Sequence, residues 1–331
     1  MTILVTGSAG FIGYHLAVAL LGRGEQVVGI DNVNNYYDVA LKEARLKRLK
    51  EFPGFSFFHR DITEQQTFAD ISDAHSDIAR VVHLAAQAGV RHSIKHPFDY
   101  IQANLVGHTR VLEYCRYLER CDHLVYASSS SVYGGNTKLP FSVDDRIDQP
   151  ISLYAATKRS DELISHAYSH LYGLPQTGLR FFTVYGPWGR PDMAIFKFTK
   201  ALYAGEPISL YNHGDMMRDF TYVDDIVAGI IAVLDKPPDA SNGIPAALYN
   251  IGNNRPERLM RVIGLLEAST GRKTELVLEP MQPGDVKETY ADIEPLRAAV
   301  GFEPRTSIDR GIPNFVTWYR DYYGLEPGTP R

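Results

Sequence analysis

The stretch VTGSAGFIG, residues 5–13, constrains what this chain can fold into more than any other. It follows a short β-branched run, TILVT, and opens a helical pattern, AGFIGYHLAVALLGRG, that Gly22 and Gly24 stop. Gly7, Gly10 and Gly13 therefore lie between a strand and a helix. A tight turn there presents backbone N–H groups at a helix N-terminus, which suits a pyrophosphate. Phe11 and Ile12, at the start of the helix, belong to the same loop contact. A second apolar strand, QVVGID, ends at Asp31, where an acid can hold both ribose hydroxyls of an adenosine. Asp31 would repel a 2′-phosphate, and Asn32 follows it where an arginine would be needed, so the pattern predicts NAD and not NADP. The plainer alternatives are a glycine turn made for packing and an ordinary strand-end carboxylate. Strand, glycine loop, helix and acid in that order favour binding.

The rest of the first half keeps this rhythm. After the polar loop NVNNYYD comes a charged helix near 38–50, then a third strand, FSFFHRD, whose end puts Asp61 and Ile62 beside the adenine edge. ARVVHLAA is a fourth strand and HLVYASS a fifth. In LAAQAG the small residues Ala85 and Ala86, followed by Gln87, let backbone approach the cofactor ribose; for Ala86 simple packing is an equal alternative. Near-continuous apolar strands separated by helices predict an α/β fold, a Rossmann-type doubly wound parallel sheet covered on both faces. Prolines and glycines thicken from GPWGRPD onward. TYVDDIVAGIIAVLDKP reads as one helix stopped by Pro237 and Pro238, and AALYNIGN as a strand that can rejoin the first sheet. With 331 residues the chain exceeds the size of a single core. The expected division is an NAD-binding unit of 1–180 plus about 219–251, and a smaller mixed α/β substrate lobe of 181–218 plus 252–331.

Several function classes are excluded. Net charge is −5 with no basic run, which argues against a nucleic-acid or anionic-membrane partner. The longest strongly apolar run, residues 226–234, is half a membrane span, and MTILVTG reads as a strand from its second residue, with no signal peptide. Cys115 and Cys121 fall in one helical segment, six apart, which makes neither a metal pair nor an obvious disulfide and fits a cytoplasmic setting. His83 lies in a buried strand, and His59, His92 and His96 have no metal-type partners at useful spacing. No metal is expected.

A second constellation carries the chemistry. LVYASSSSVYGGN places four serines at the end of the fifth strand, and SLYAATK places Tyr154 and Lys158 four apart on one helix face. A free phenol, with a pKa near 10, is too weak a base at neutral pH. A nearby ammonium and a nicotinamide cation both favour the phenolate. A serine would complete a proton path to a substrate hydroxyl. The set suits removal of a proton from an alcohol while hydride leaves for NAD.

Together TGSAGFIG, HLAAQAGV, ASSSSVYG, SLYAATK and LRFFTVYGPWGRPDMA resemble the extended short-chain dehydrogenase/reductase family, and within it the nucleotide-sugar 4-epimerases acting on UDP-glucuronate. The resemblance runs from Met1 to the RDFTYVDD and MQPGDV segments. It implies a tightly held NAD, a UDP-sugar substrate and a homodimer formed through helices near 98–119 and 153–172. By position it makes Tyr154 the base, Lys158 its partner and Ser129 the catalytic serine, with Ser130 the next candidate. It places Thr183 at the nucleotide diphosphate and Arg218 as the diphosphate clamp. Arg190 is a second candidate clamp, or else the ion-pair partner of Asp192. Gln282 stands where many relatives carry a further phosphate arginine, which leaves Asp285 to hold the nucleotide's ribose. Dehydratases of this family carry an acidic pair after the catalytic serine or threonine, and UDP-glucuronate decarboxylases a glutamate. Ser130 and Ser131 occupy those positions here, which favours epimerisation at C4. The alternatives are a 4-epimerase of UDP-glucose or UDP-N-acetylglucosamine, a UDP-glucuronate decarboxylase, and a non-catalytic NAD-binding protein.

Overall fold

In the computed structural model, residues 1–240, 243–282 and 286–326 are described. The first six strands are β1 (Thr2–Thr6), β2 (Gln26–Asp31), β3 (Phe55–His59), β4 (Ile78–His83), β5 (His123–Ser129) and β6 (Gln176–Phe181). The chain then leaves this sheet to form β7 (Thr183–Tyr185), β8 (Ile208–Leu210) and β9 (Met217–Tyr222), and returns as β10 (Ala246–Ile251). The short strands β11 (Pro256–Arg258) and β12 (Leu276–Leu278) follow. The main sheet runs β3-β2-β1-β4-β5-β6-β10, and every neighbouring pair is parallel. This is the expected doubly wound α/β sheet, and AALYNIGN does rejoin it.

Helices α1 (Phe11–Gly22), α2 (Val39–Leu49) and α3 (Gln65–Ala74) link the early strands. Three segments then run nearly end to end: α4 (Val90–Lys95), α5 (Pro97–Tyr100) and α6 (Gly107–Tyr117), the last two joined by a π-helical turn at Ile101–Val106. Beyond them lie α7 (Leu153–Tyr172), α8 (Ala194–Ala204), α9 (Val223–Leu234), α10 (Leu259–Thr270), α11 (Glu294–Val300) and α12 (Ile308–Tyr323). Strand alternation decides which face each side chain joins. Ile3, Val5, Val27, Val82 and Val125 pack with Leu16 and Leu20 of α1 and Ile226 and Ile230 of α9. Their sequence neighbours Leu4, Val28, Val81 and Leu124 face the opposite way, onto Ile71 of α3 and Val111 and Leu112 of α6.

A further core gathers Leu202 of α8, Val262 and Leu266 of α10, and Ile312 and Phe315 of α12 around β8 and β9. Leu41 of α2 also joins it. Two small sheets edge this core, β11-β9-β7 and β12-β8. Asp219, in the middle of β9 and fully buried, accepts the N–H groups of Asn253, Asn254 and Ala291 and the Thr221 hydroxyl. One carboxylate thereby ties β9 to the exit of β10 and to the segment before α11.

Two local expectations are corrected. Thr221 and Tyr222 belong to β9, and helix α9 starts only at Val223. The run MRDFTY is claimed by pairing with β7 and β11, and the acids Asp224 and Asp225 fall in the first helical turn, where they complement its dipole. Cys121 lies past the end of α6, because the chain turns extended at Leu118.

The order of the main sheet reverses between β1 and β4, and a crevice opens at their carboxyl ends. Gly7 has φ of +73°, and a Cβ there would lie 2.8 Å from the Ala85 nitrogen. A Cβ on Gly13 would lie 2.1 Å from the Gly7 carbonyl oxygen. Backbone fills both places, so α1 cannot yield. Gly13→Ala should therefore cost about 1–3 kcal/mol of stability, as overpacking does. It should also lower the amount of NAD that copurifies; thermal unfolding and the absorbance ratio of purified protein check both.

Candidate active site

The cofactor side is built from backbone. Gly10 caps α1 without a side-chain hydrogen bond, and no acid lies in the first helical turn. The N–H groups there remain available to an anion. Gly10 N–H closes the turn on the Gly7 carbonyl at 2.9 Å, and Gly7 N–H bonds Ile30 at 2.7 Å. Asp31 accepts from the N–H groups of Ala9 at 3.1 Å and Val33 at 2.8 Å, which fixes its carboxylate at the loop's edge. Asn32 donates to Asp61 at 2.8 Å, and Thr63 bonds Asp61 through both N–H and hydroxyl. Burial raises the Asp61 carboxyl, but those hydrogen bonds outweigh it and hold the pKa below the usual range. Ile62 is buried under Gly107, where a Cβ would meet its side chain. Ala85 N–H bonds Thr6 Oγ1 at 3.1 Å. Asp31, Asn32, Asp61 and Ala85 thus gather where the sequence put them, around a cradle that any Cβ would fill, and the residues fit NAD.

Gln87 is buried, and its N–H and carbonyl are both bonded by the amide of Asn104. Asn104 Nδ2 also donates to Thr157 Oγ1, which in turn donates to the Tyr154 carbonyl. This relay joins the Gln87 segment to the first turn of α7, and the sequence reading missed Asn104. The signal was present: an amide on the buried side of a helix needs partners. It lies in the π-helical turn, a feature frequent at functional sites.

Tyr154 stands in the first turn of α7, which Ser152 caps by accepting the Ala155 N–H at 3.1 Å. Its own N–H bonds Ser93 Oγ at 3.3 Å. Lys158, one turn on, is buried; its ammonium donates to the Ala127 carbonyl at 3.0 Å and to Asp161 at 3.1 Å. An ammonium has three donors, so one remains beyond these two. Burial, then the charge of His108, then that of Lys158, holds the His83 pKa well down, and His83 bonds Thr6 as a structural residue.

The serine run divides into roles. Ser128 donates to Glu162 at 2.6 Å, and the same carboxylate takes a bidentate pair from Arg180, which also bonds Tyr133. That network is buried and occupies Ser128. Ser129 Oγ accepts the Ser131 N–H and lies 3.1 Å from Ser131 Oγ, so it caps the turn Ser130–Tyr133 at the end of β5. Ser130 and Ser131 are half-buried. Ser129 pairs with Phe181 across β5 and β6, and Thr183 begins β7 two residues later. Ser129 therefore ends β5 beside the end of β6, with Ser130 and Ser131 in the turn just beyond it and Thr183 opening β7 just past β6.

The remaining expected residues are placed less simply. Arg190 makes a bidentate pair with Asp192 at 3.0 and 2.6 Å, the alternative the sequence left open. Tyr36 completes it, donating to Asp192 at 3.1 Å. Burial, then the Asp192 charge, pushes the Tyr36 phenol up to about 12, so it stays a donor. Burial lowers the Arg190 pKa, but Asp192, and beyond it Tyr36 and Tyr154, raise it further. Arg218 donates to the carbonyls of Met217, Val286 and Lys287. Gln282 is half-buried, and Asp285 lies outside the described residues.

Arg45 was not foreseen. It is fully buried and donates to the Ala9 carbonyl at 2.8 Å, the Tyr37 hydroxyl at 2.7 Å and the Trp188 carbonyl at 2.5 Å. It joins the glycine loop, the NNYYD loop and the loop that carries Arg190.

A glycine-loop crevice facing a tyrosine–lysine pair defines a nicotinamide-dependent enzyme acting on an alcohol carbon. The chain belongs to the NAD dependent epimerase/dehydratase family, which it matches over residues 3–252. The probable UDP-glucuronate 4-epimerase of Rhizobium meliloti (strain 1021) is 44% identical, over 98% of this chain and 98% of its own. UDP-glucuronate 4-epimerase 1 of Arabidopsis thaliana is 44% identical, over 98% of this chain and 78% of its own. The crystal structure of UDP-glucuronic acid 4-epimerase from Bacillus cereus in complex with UDP-glucuronic acid and NAD superposes with a TM-score of 0.90 at 34% identity, covering 98% and 100% of the two chains. The expected cofactor, NAD, and the expected activity, C4 epimerisation of a UDP-sugar, both stand with these relatives.

The Lys158–Asp161 pair gives a pH test. Burial pushes the Asp161 carboxyl up to about 6 from the ordinary 3.8, with Lys158 pulling it down. A raised folded pKa means the folded state holds the proton more tightly. The group's contribution to stability is full below its unfolded pKa and is lost as pH rises through the folded value. Chemical unfolding across roughly pH 4 to 7 should show that Asp161→Asn lacks this part of the decline.

Proposed function

We propose that this protein converts UDP-glucuronate to UDP-galacturonate by epimerisation at C4. The observation that carries the reading is the acid-free turn of Ser129, Ser130 and Ser131 at the carboxyl end of β5, with Thr183 just past the end of the paired strand β6. Tyr154 takes the proton of the sugar's 4-hydroxyl, with Ser129 as the hydroxyl that orients it. Lys158 favours the phenolate and offers its third donor to the cofactor ribose. NAD, when bound, would supply the acceptor for the C4 hydride and the donor that returns it to the opposite face of the sugar. The 4-keto sugar turns about its diphosphate, so that end must be gripped while the sugar end stays loosely held. Arg218, steadied by the carbonyls of Val286 and Lys287, and Arg190, aimed by Asp192 and Tyr36, are the proposed grips, and Gln282 and Asp285, which precede Val286 in sequence, are proposed as further substrate contacts.

The oxidised sugar is a β-keto acid, which loses CO₂ when the breaking bond aligns with the carbonyl π-system. Hydroxyls of Ser130, Ser131 and Thr183 would hydrogen-bond the carboxylate and keep it out of that alignment. A carboxylate in their place would repel it and favour neutral CO₂.

The division into an NAD unit of 1–180 plus about 219–251 and a sugar-nucleotide lobe of 181–218 plus 252–331 is part of the same reading. The return of β10 to the main sheet and the separate core around α8, α10 and α12 support it. A homodimer is supported by large apolar side chains left exposed on the two expected helices: Phe98 and Tyr117 on one, Leu163, Leu171 and Tyr172 on the other. A cytoplasmic setting accords with free thiols at Cys115 and Cys121. Among the described residues no helix is long and apolar enough to cross a membrane.

Purified protein given UDP-glucuronate without added NAD should yield UDP-galacturonate with only a trace of UDP-pentose, resolved by chromatography. UDP-pentose as the main product, or strict need for added NAD with NADH released, overturns the reading. Tyr154→Phe should lower turnover by about 10²–10⁴-fold with fold and bound NAD retained. Ser130→Ala with Ser131→Ala should slow turnover and raise the pentose fraction; an unchanged ratio removes the protective role.

A further inference from the structure

His92 and His96 are four residues apart, a spacing that lets two imidazoles on one helical turn share a metal ion. The sequence reading found no partners for them, and the structure supplies both. Helix α4 stops at Lys95, His96 takes φ −128° and ψ 63°, and Pro97 starts α5. This bend stacks the two rings with centroids 4.3 Å apart at 18°. It also brings Asp99 round, with a carboxylate oxygen 3.7 Å from His92 Nε2. One ligand atom from each of the three lies within 4.8 Å of the others. No other such group occurs among the described residues.

Two imidazoles and one carboxylate suit Zn²⁺, Co²⁺ or Ni²⁺, whereas Mg²⁺ and Ca²⁺ prefer oxygen donors throughout. Three protein ligands leave a position for water, so the ion is exchangeable. His96 and Asp99 are exposed, and an ion reaches them without opening the fold. Two contacts lead inward from this cluster. The His92 ring packs edge-on against Tyr36 at 4.9 Å, and Tyr36 holds Asp192. Ser93, the next residue, accepts the Tyr154 N–H while donating to the Val90 carbonyl at 2.6 Å.

We propose that His92, His96 and Asp99 form a site for a divalent transition-metal ion of the zinc class, and that the ion slows turnover by fixing α4 against the catalytic helix. The site is peripheral, and the reaction itself needs no metal. Only the turnover half rests on the epimerase reading; the binding half does not.

The test uses the full chain, freed of metal by a chelator. Calorimetric titration with Zn²⁺ should show one ion per chain, and Co²⁺ should give a visible ligand-field band from the same site. His96→Ala and Asp99→Asn should each weaken binding at least about 10-fold, since even outer-shell changes cost that much. Zn²⁺ should slow the wild type severalfold and a chelator restore it. His96→Ala should keep the metal-free rate and ignore Zn²⁺. His166 and His170 on α7 are also exposed and four apart, so His166→Ala with His170→Ala is the control and should bind as wild type. Wild-type affinity in His96→Ala, or loss of binding in the control, overturns the site. An unchanged rate in the Zn²⁺-saturated enzyme overturns the coupling. If the protein does not epimerise any UDP-sugar, the calorimetric and Co²⁺ results still decide the site.

Discussion

The peptide at Gly7 is so closely hemmed by the Ala85 backbone on one side and by α1 on the other that no side chain fits in either direction. This approach sets the width of the crevice between β1 and β4. It also aims the N-terminus of α1 into that crevice and puts Ala9 where Asp31 can bond its N–H. From Ala85 the wall continues to Gln87, then through Asn104 and Thr157 to the carbonyl of Tyr154. Tyr154, the proposed base, is thus located by an unbroken series of backbone, amide and hydroxyl contacts that starts at a glycine. The chemistry inherits its precision from a steric limit.

Buried charge supplies orientation. The Glu162–Arg180 pair is almost wholly removed from solvent, and such pairs contribute little net stability once desolvation is counted. What it does is select. By taking the Ser128 hydroxyl it leaves Ser129 as the first serine of the run able to face a ligand, and through Tyr133 and Asn250 it anchors β5 to β10. Asp161 does the same for Lys158, holding an ammonium in place with one donor to spare.

Much of this was legible in the sequence, because the deciding signals are local. The glycine loop, Asp31 and the Tyr154–Lys158 spacing each lie within one turn or one strand, and the β-branched runs named the strands of the main sheet. What stayed hidden depends on distant partners. Arg45 lies on what the sequence shows only as a charged helix near 38–50, and the fold alone shows it enclosed. Thr221 and Tyr222 run straight into a largely apolar helix, and they become strand only by pairing with Val184 and Tyr185 of β7. Arg190 carried two readings; the pair with Asp192 is present, and the diphosphate clamp belongs to the proposed function. The histidines at 92 and 96 gained a third partner through a bend that spacing alone does not reveal.

Arg45 has one further consequence. A single guanidinium bonds the cofactor loop at Ala9, the aromatic loop at Tyr37 and the sugar-side loop at Trp188. These three loops are separate in sequence, and in the proposed function they serve different ligands, yet they share one anchor. They are not interchangeable cassettes. A graft of residues 186–192 from a relative with a different sugar preference must bring a carbonyl to the same point in space, or the loop under the dinucleotide loses its support. In the proposed function, any change of sugar specificity along that route is tied to position 45, whose guanidinium bonds the loops themselves.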